Sequence, residues 1–405
     1  MTTTVSAGRT AAAAHRPPAW ESVPEPLWYA VFAGFAGLFA VLAGPAAHRV
    51  WGTVAAAGYA GAALVAGTSR TAGRVCAFTG AALIPLMVLL ATSRAQEEVS
   101  VVARSGAALL RHGTPYPRPP ADAAYTSYDP YLPGMAVFGL TGLDPRILFT
   151  GVFAAAIAAG TVVSRSHGGP RRVGRAGMPA VVLGSPLVVI LASPLVALPV
   201  AVGGDDLPVL GCACLGLALA RHRPGTAGLV LGAAGTLKLT ASPVLITVFF
   251  LLRARGQARR YVIAATAVLT AGVGVPAALD PSGFATNVVL FPMGLTPATS
   301  PAASPLPGHL LAGLGPAGHA AAVTLLVLAA VAVGVSLVLR PPPDVRAAAR
   351  RAALGLALAV CLLPATRWGY LLYPAVLAAW SRMPGHVALI SPERAPEGVT
   401  PCLAA

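Results

Sequence analysis

The sequence predicts an all-α, polytopic helical integral membrane protein, and three observations carry that prediction. Of the 405 residues, 56% are hydrophobic and only 10% are charged, where soluble domains carry roughly 25% charged residues. Apolar runs near the length of a membrane crossing recur along the chain, whose mean hydropathy is +0.74. The runs are continuous in Ala, Leu, Val and Gly rather than alternating, which argues against a membrane β-barrel.

Apolar spans fall at 27–45, 50–67, 74–92, 146–163, 178–202, 206–220, 225–237, 241–252, 261–278, 318–340, 352–366 and 370–381, about twelve membrane segments. The net charge of +15 comes from arginines in the short loops between them. With the N-terminus inside, twenty of the 28 basic residues lie on the inner side and eight of the 13 acids on the outer side. This is the positive-inside pattern of a multi-pass protein of the cell (plasma) membrane, and it makes membrane lipid, not nucleic acid, the expected partner. Residues 1–26 and 382–405 read as disordered cytoplasmic tails flanking one membrane domain at 27–381. The five cysteines form no pair in a polar loop, so no disulfide framework is expected.

Two spans are short for crossings. Residues 225–252 must leave and return within 28 residues, which predicts half-length or tilted helices broken between Lys238 and Pro243, where proline removes an amide donor. Non-helical backbone at that depth lines a cavity or is buried in protein. The same argument places a turn at Pro364–Tyr370.

One wet stretch interrupts the apolar chain, Ser93 to Gly134, a large first extracytoplasmic loop. It opens on Glu97 and Glu98, continues as a helical segment ending at Gly113-Thr-Pro115, and carries Arg104, Asp129 and the aromatics Tyr116, Tyr125, Tyr128 and Tyr131. A partly desolvated carboxylate at such a position suits general-base chemistry, whereas a surface amphipathic helix is the plain alternative. A second outer loop at 279–317, rich in Pro, Gly, Ser and Thr, reads as irregular.

Three further features stand out. Lys238 is the only lysine in the chain and lies between apolar pieces. A charge there costs about 2.5–3.5 kcal/mol on insertion scales, so it is expected to face a polar cavity with a partner, as a phosphate or carboxylate ligand, with a lysine snorkelling at a helix end the plain alternative. Gly203-Gly-Asp205-Asp206 carries two acids where one helix cap explains only one. Arg367-Trp-Gly-Tyr370 sets an arginine beside two aromatics, suited to phosphate or sugar, or to an interfacial belt. The expected topology puts Glu97, Glu98, Tyr128, Asp129, Asp205, Asp206, Lys238, Arg367 and Tyr370 on one outer side, from separate parts of the chain.

The stretches EEVSVVARSGAALLRHGTPYP (97–117), YDPYLPGMAVFGL (128–140), GGDDLPVLG (203–211), AGLVLGAAGTLKLTASP (227–243) and TRWGYLLYP (366–374) occur in an order that resembles glycosyltransferase family 87. These are polyprenol-phosphate-mannose-dependent mannosyltransferases of the GT-C membrane fold, and the likeness is to actinobacterial members. The resemblance implies an inverting hexosyltransferase that moves mannose from a polyprenyl-phosphate donor to a glycan or glycolipid acceptor on the extracytoplasmic face, without cofactor or metal. It implies Glu98, or alternatively Glu97, as the catalytic base, in place of the family's usual aspartate. Lys238, Arg104 and Arg367 would bind the donor phosphate. Tyr128, Asp129, Asp205, Asp206 and Tyr370 would bind acceptor or sugar. A transporter or flippase shares broken helices and membrane charge, but no internal repeat supports it. An inactive relative is the third reading.

Overall fold

A computed structural model describes residues 23–120, 122–165, 187–298 and 301–382. The expected tails lie almost wholly outside the described residues, as do residues 178–186 of one expected span. The described residues form helices and no strand, with one isolated bridge between Ala303 and Thr366.

In chain order the helices are α1 (Glu25–Leu42), α2 (Ala46–Ala66), α3 (Arg70–Ala91), α4 (Glu97–His112), α5 (Pro145–Arg165), α6 (Leu187–Leu191), α7 (Pro194–Val202), α8 (Asp206–Ala220), α9 (Pro224–Leu237), α10 (Ser242–Ala254), α11 (Ala258–Leu279), α12 (Pro281–Phe284), α13 (Pro307–Ala312), α14 (Pro316–Leu339), α15 (Val345–Leu362) and α16 (Leu372–Trp380). Five of them, α1, α3, α5, α11 and α14, are long and apolar enough to cross a membrane. The other expected spans correspond to helices that are shorter or less apolar. The chain is a helical membrane protein.

Two long helices absorb a proline by the same device. A π-turn at Thr79–Leu83 precedes Pro85 in α3, and one at Thr270–Gly274 precedes Pro276 in α11. Proline has no amide hydrogen, so the carbonyl four residues earlier loses its helical partner. For Pro85 that carbonyl belongs to Ala81, and the buried Trp51 indole of α2 donates to it at 2.9 Å. Trp51→Phe keeps most of the buried ring and removes the donor. It is expected to cost about 1–3 kcal/mol, seen as a lower unfolding midpoint in detergent. An unchanged midpoint would show that this bond carries no stability.

The core joins α2, α3, α7, α8, α9, α10, α15 and α16 through residues such as Trp51, Val200, Leu207, Leu231, Leu251, Leu356 and Trp380. By contrast α11 and α14 are mostly unburied within the protein and turn long apolar faces outward. Such faces suit lipid.

The expected first outer loop folds onto the bundle. Helix α4 begins at Glu97 and ends at Gly113, whose φ of 73° is the left-handed stop that glycine adopts at least cost. Further on, Leu132 N donates to Leu237 O at 3.2 Å, seating the segment over the end of α9.

The expected second outer loop is more regular than its composition predicts. Pro281 opens α12, the Asp280 carboxylate caps it by accepting from Gly283 N at 3.0 Å, and a π-turn follows over Ala285–Leu290. The two segments are welded together there. Asp280 also accepts from the Thr114 hydroxyl at 2.7 Å. Hydrogen bonds, Thr114's foremost, hold this carboxyl below the usual carboxylate range against the effect of burial. The fully buried Asn287 donates to Pro117 O and Gly283 O and accepts from Asp129 N. Tyr128 stacks on Phe291 with centroids 4.5 Å apart.

Candidate functional site

Three chain breaks build the site. The first is the start of α4. Gln96 is pinned to the turn after α7, its backbone N donating to Val202 O at 3.0 Å and its side chain to Gly203 O at 2.8 Å. Gly203 has φ 108°, and a Cβ there would lie 2.1 Å from Val99 Cγ2, so only glycine lets α4 pack this close. The result is that Glu97 and Glu98 start their helix beside Asp205 and Asp206, which start α8.

The second break is at Lys238, where α9 ends in an extended residue (φ −150°, ψ 149°) before a 3₁₀ turn over Leu239–Ala241. This is the break expected between Lys238 and Pro243. The Lys238 ammonium donates to Asp205 Oδ1 at 2.8 Å and to Asp206 Oδ1 at 2.6 Å. It lies 5.1 Å from the Tyr131 ring centroid and 6.0 Å from that of Tyr370. Asp206 Oδ1 also accepts from the Tyr373 hydroxyl at 2.8 Å, which in turn accepts from the Thr240 hydroxyl at 2.8 Å.

The third break is the turn between α15 and α16. Ser304 N donates to Thr366 O at 2.9 Å and Thr366 N to Ala302 O at 3.0 Å, so residues 302–304 strap this turn. Arg367 projects from it and forms an ion pair with Glu98, 269 residues away in sequence.

These groups line one cavity of about 1640 Å³. Glu97, Glu98, Tyr128, Asp205, Asp206, Lys238, Arg367 and Tyr370 all reach it. The Tyr125 hydroxyl donates to Glu97 Oε2 at 2.6 Å, and this bond to a carboxylate raises the phenol above its ordinary range. Away from the charged end, the cavity becomes an apolar groove between Trp28, Phe32, Phe35 and Phe39 of α1, Leu195 and Leu198 of α7, and Ala375 and Ala379 of α16. It reaches the Glu25–Arg74 ion pair (2.5 Å) at the other end of α1. Glu25 to Phe39 is fourteen residues of α1, a rise of about 21 Å.

Two expected site residues are elsewhere. Arg104 does not line the cavity: it is exposed and donates to Ser100 Oγ at 2.9 Å and Thr126 O at 2.6 Å, bracing α4 against the 125–131 turn. Asp129 is 3% exposed and turned away, accepting from the Ser105 hydroxyl at 2.6 Å and Tyr131 N at 3.1 Å. Both point away because the helix and the 125–131 turn present their other faces to the cavity. Lys238 does face the cavity, and this expected phosphate or carboxylate ligand is held between the carboxylates of Asp205 and Asp206. Among the described residues, no group of three or more His, Cys, Asp or Glu is arranged to hold a metal ion.

Sequence reasoning passed over Tyr373, three residues after Tyr370 on the next helical turn, and gave Asn287 no role. It also passed over His48, which carries no motif.

Residues 132–366 match the family model of glycosyltransferase family 87, more than half of the chain. The chain belongs to glycosyltransferase family 87. No curated protein and no solved structure matches it. Within this membrane glycosyltransferase the matched stretch holds Asp205, Asp206 and Lys238. It begins after Glu97 and Glu98 and ends one residue before Arg367, so the Glu98–Arg367 pair is assigned to the site by geometry.

Burial pushes the Asp129 carboxyl of this glycosyltransferase up to about 7. An unfolded aspartate titrates near 3.9, so between about pH 4 and 7 the folded chain binds the extra proton and stability falls as pH rises. The loss is complete above about pH 7 and is on the order of 4 kcal/mol. Asp129→Asn cannot ionise. It is expected to unfold at a higher temperature than wild type at pH 8 and at nearly the same temperature at pH 4. Parallel pH profiles for the two proteins would refute this.

Proposed function

We propose that this protein transfers a sugar, mannose by the family resemblance, from a polyprenyl-phosphate donor to a hydroxyl of a glycan or glycolipid, with inversion at the anomeric carbon. The observation that carries the reading is the single cavity whose charged end holds carboxylates and cations and whose remainder is an apolar groove. A lipid-linked sugar has that division of chemistry. In this reading about twelve membrane segments carry the site on the extracytoplasmic side of the plasma membrane, where nucleotide sugars are not supplied.

Glu98 takes the proton from the acceptor hydroxyl as its oxygen attacks the anomeric carbon. The bond from that carbon to the phosphate oxygen breaks, and the polyprenyl phosphate leaves with the electron pair. Arg367 is the cation for this phosphate, because its planar guanidinium reaches both partners: it neutralises Glu98 in the empty site and the phosphate when donor is bound. Donor binding thereby frees the carboxylate for its role as base. The Lys238–Asp205–Asp206 cluster, formally −1, orients acceptor or sugar hydroxyls, with Tyr128 and Tyr370 on the cavity wall.

The test is transfer of radiolabelled mannose from polyprenyl-phosphate mannose by membranes containing the chain, over a panel of glycan and glycolipid acceptors. Label in a chloroform-soluble or polymeric product above control membranes supports the reading. No label with any acceptor, in a protein shown to be folded, overturns it in favour of a transporter or an inactive relative.

A further inference from the structure

His48 lies in the first turn of α2, and nothing in the mechanism above uses it. It lines the cavity that holds Glu98 and Arg367, and it is near enough to feel both of their charges. The same ring rests against Phe39, centroids 5.8 Å apart, and Phe39 is the last of the α1 aromatics lining the apolar groove. His48 therefore stands where groove and charged end meet.

Its surroundings are fixed from the neighbouring residue. The Arg49 guanidinium donates to Ala43 O at 3.2 Å and Gly44 O at 2.6 Å, closing the α1–α2 turn on orphan carbonyls at the end of α1. Among the described residues neither ring nitrogen of His48 has a hydrogen-bond partner, and Nδ1 is fully buried. A dry N–H is a worse burden than a dry acceptor. The proton of the neutral ring therefore belongs on Nε2, which leaves the accessible nitrogen as a donor.

We infer that His48 is a phosphate-binding residue of this site, donating from Nε2 to a non-bridging oxygen of the lipid phosphate opposite Arg367. This rests on the polyprenyl-phosphate reading. A phosphate at the junction would have its lipid in the groove beside Phe39 and its sugar toward Glu98. One donor would come from α2 and one from the α15–α16 turn, so the anion would be gripped from two sides.

The experiment uses the full chain purified in detergent, with a short-chain polyprenyl monophosphate, the corresponding polyprenol and inorganic phosphate as probes. Binding is measured for wild type, His48→Leu and His48→Gln, each checked for an unchanged unfolding midpoint. His48→Leu is expected to weaken the lipid phosphate about tenfold, the worth of one hydrogen bond to a charged group. His48→Gln, which keeps a donor at similar reach, should stay within about threefold of wild type. Polyprenol should bind the three proteins equally. Inorganic phosphate competing as well as the lipid phosphate would overturn the lipid source. Equal binding of lipid phosphate by wild type and His48→Leu, or equal loss of polyprenol and its phosphate, would overturn the role of His48 while leaving the donor reading intact. Failure of wild type to bind the lipid phosphate would overturn both.

Discussion

Glu98→Gln is expected to reduce sugar transfer by about 10²–10⁴-fold, the range for loss of a positioned general base. The substitution keeps the shape of the side chain and one acceptor oxygen, so the cavity should remain intact. Two changes follow from the loss of charge. The glutamine cannot take the acceptor's proton, and Arg367 loses its partner in the empty site. A freed Arg367 favours the donor phosphate, so donor affinity should stay the same or rise while turnover collapses. That split separates a base from a structural residue, whose loss lowers both. Glu97→Gln is expected to lower transfer far less, because Glu97 is tied to Tyr125 at 2.6 Å, whereas the ion pair with Arg367 is made by Glu98. Equal losses in both variants would remove the assignment of Glu98. The readout is single-turnover transfer alongside donor binding.

The second large effect falls on stability. Lys238→Met leaves Asp205 and Asp206 facing each other without the ammonium now 2.8 and 2.6 Å from them. Asp205 is 3% exposed, so solvent replaces the ammonium poorly. Breaking a buried ion pair from one side costs about 3–5 kcal/mol, because the surviving charge keeps its desolvation penalty. Lys238→Met is therefore expected to unfold at a much lower temperature in detergent, or to fail to accumulate as a folded protein. Adding Asp206→Asn to Lys238→Met removes one of the stranded charges and should recover part of the loss, a coupling between neighbours that independent sites would not show. Thermal unfolding of the two singles and the double measures it. A single variant as stable as wild type would mean that Lys238 serves ligand and not fold.

The aromatic and small-residue contacts matter for the same reason as the charges. Tyr373, Thr240 and Asp206 form one hydrogen-bonded chain across α8, the 3₁₀ turn and α16. Each member comes from a different helix break, so the site is held by the ends of helices whose shafts belong to the core. That arrangement lets a mostly apolar protein gather paired polar groups at the ends of its helices.

Much of this was legible before any coordinates. The near absence of charge over long runs dictates helices, because a backbone in lipid must satisfy its own hydrogen bonds. Proline at 243 and a lone lysine at 238 dictate a break, and Gly113 dictates the end of α4. The Glu97–Glu98 pair at the start of that helix follows from the favourable meeting of carboxylates with a helix N-terminus. What the tertiary structure alone decided is which charges meet. Arg104 and Arg367 are both arginines of expected outer segments, yet only Arg367 reaches Glu98. Asp129 and Asp205 are both buried acids, yet one is spent on Ser105 and the other on Lys238. His48 carries no sequence signal at all. Ion pairs and hydrogen bonds act over a few ångströms, and spacing along the chain says nothing about distances set by how helix ends converge.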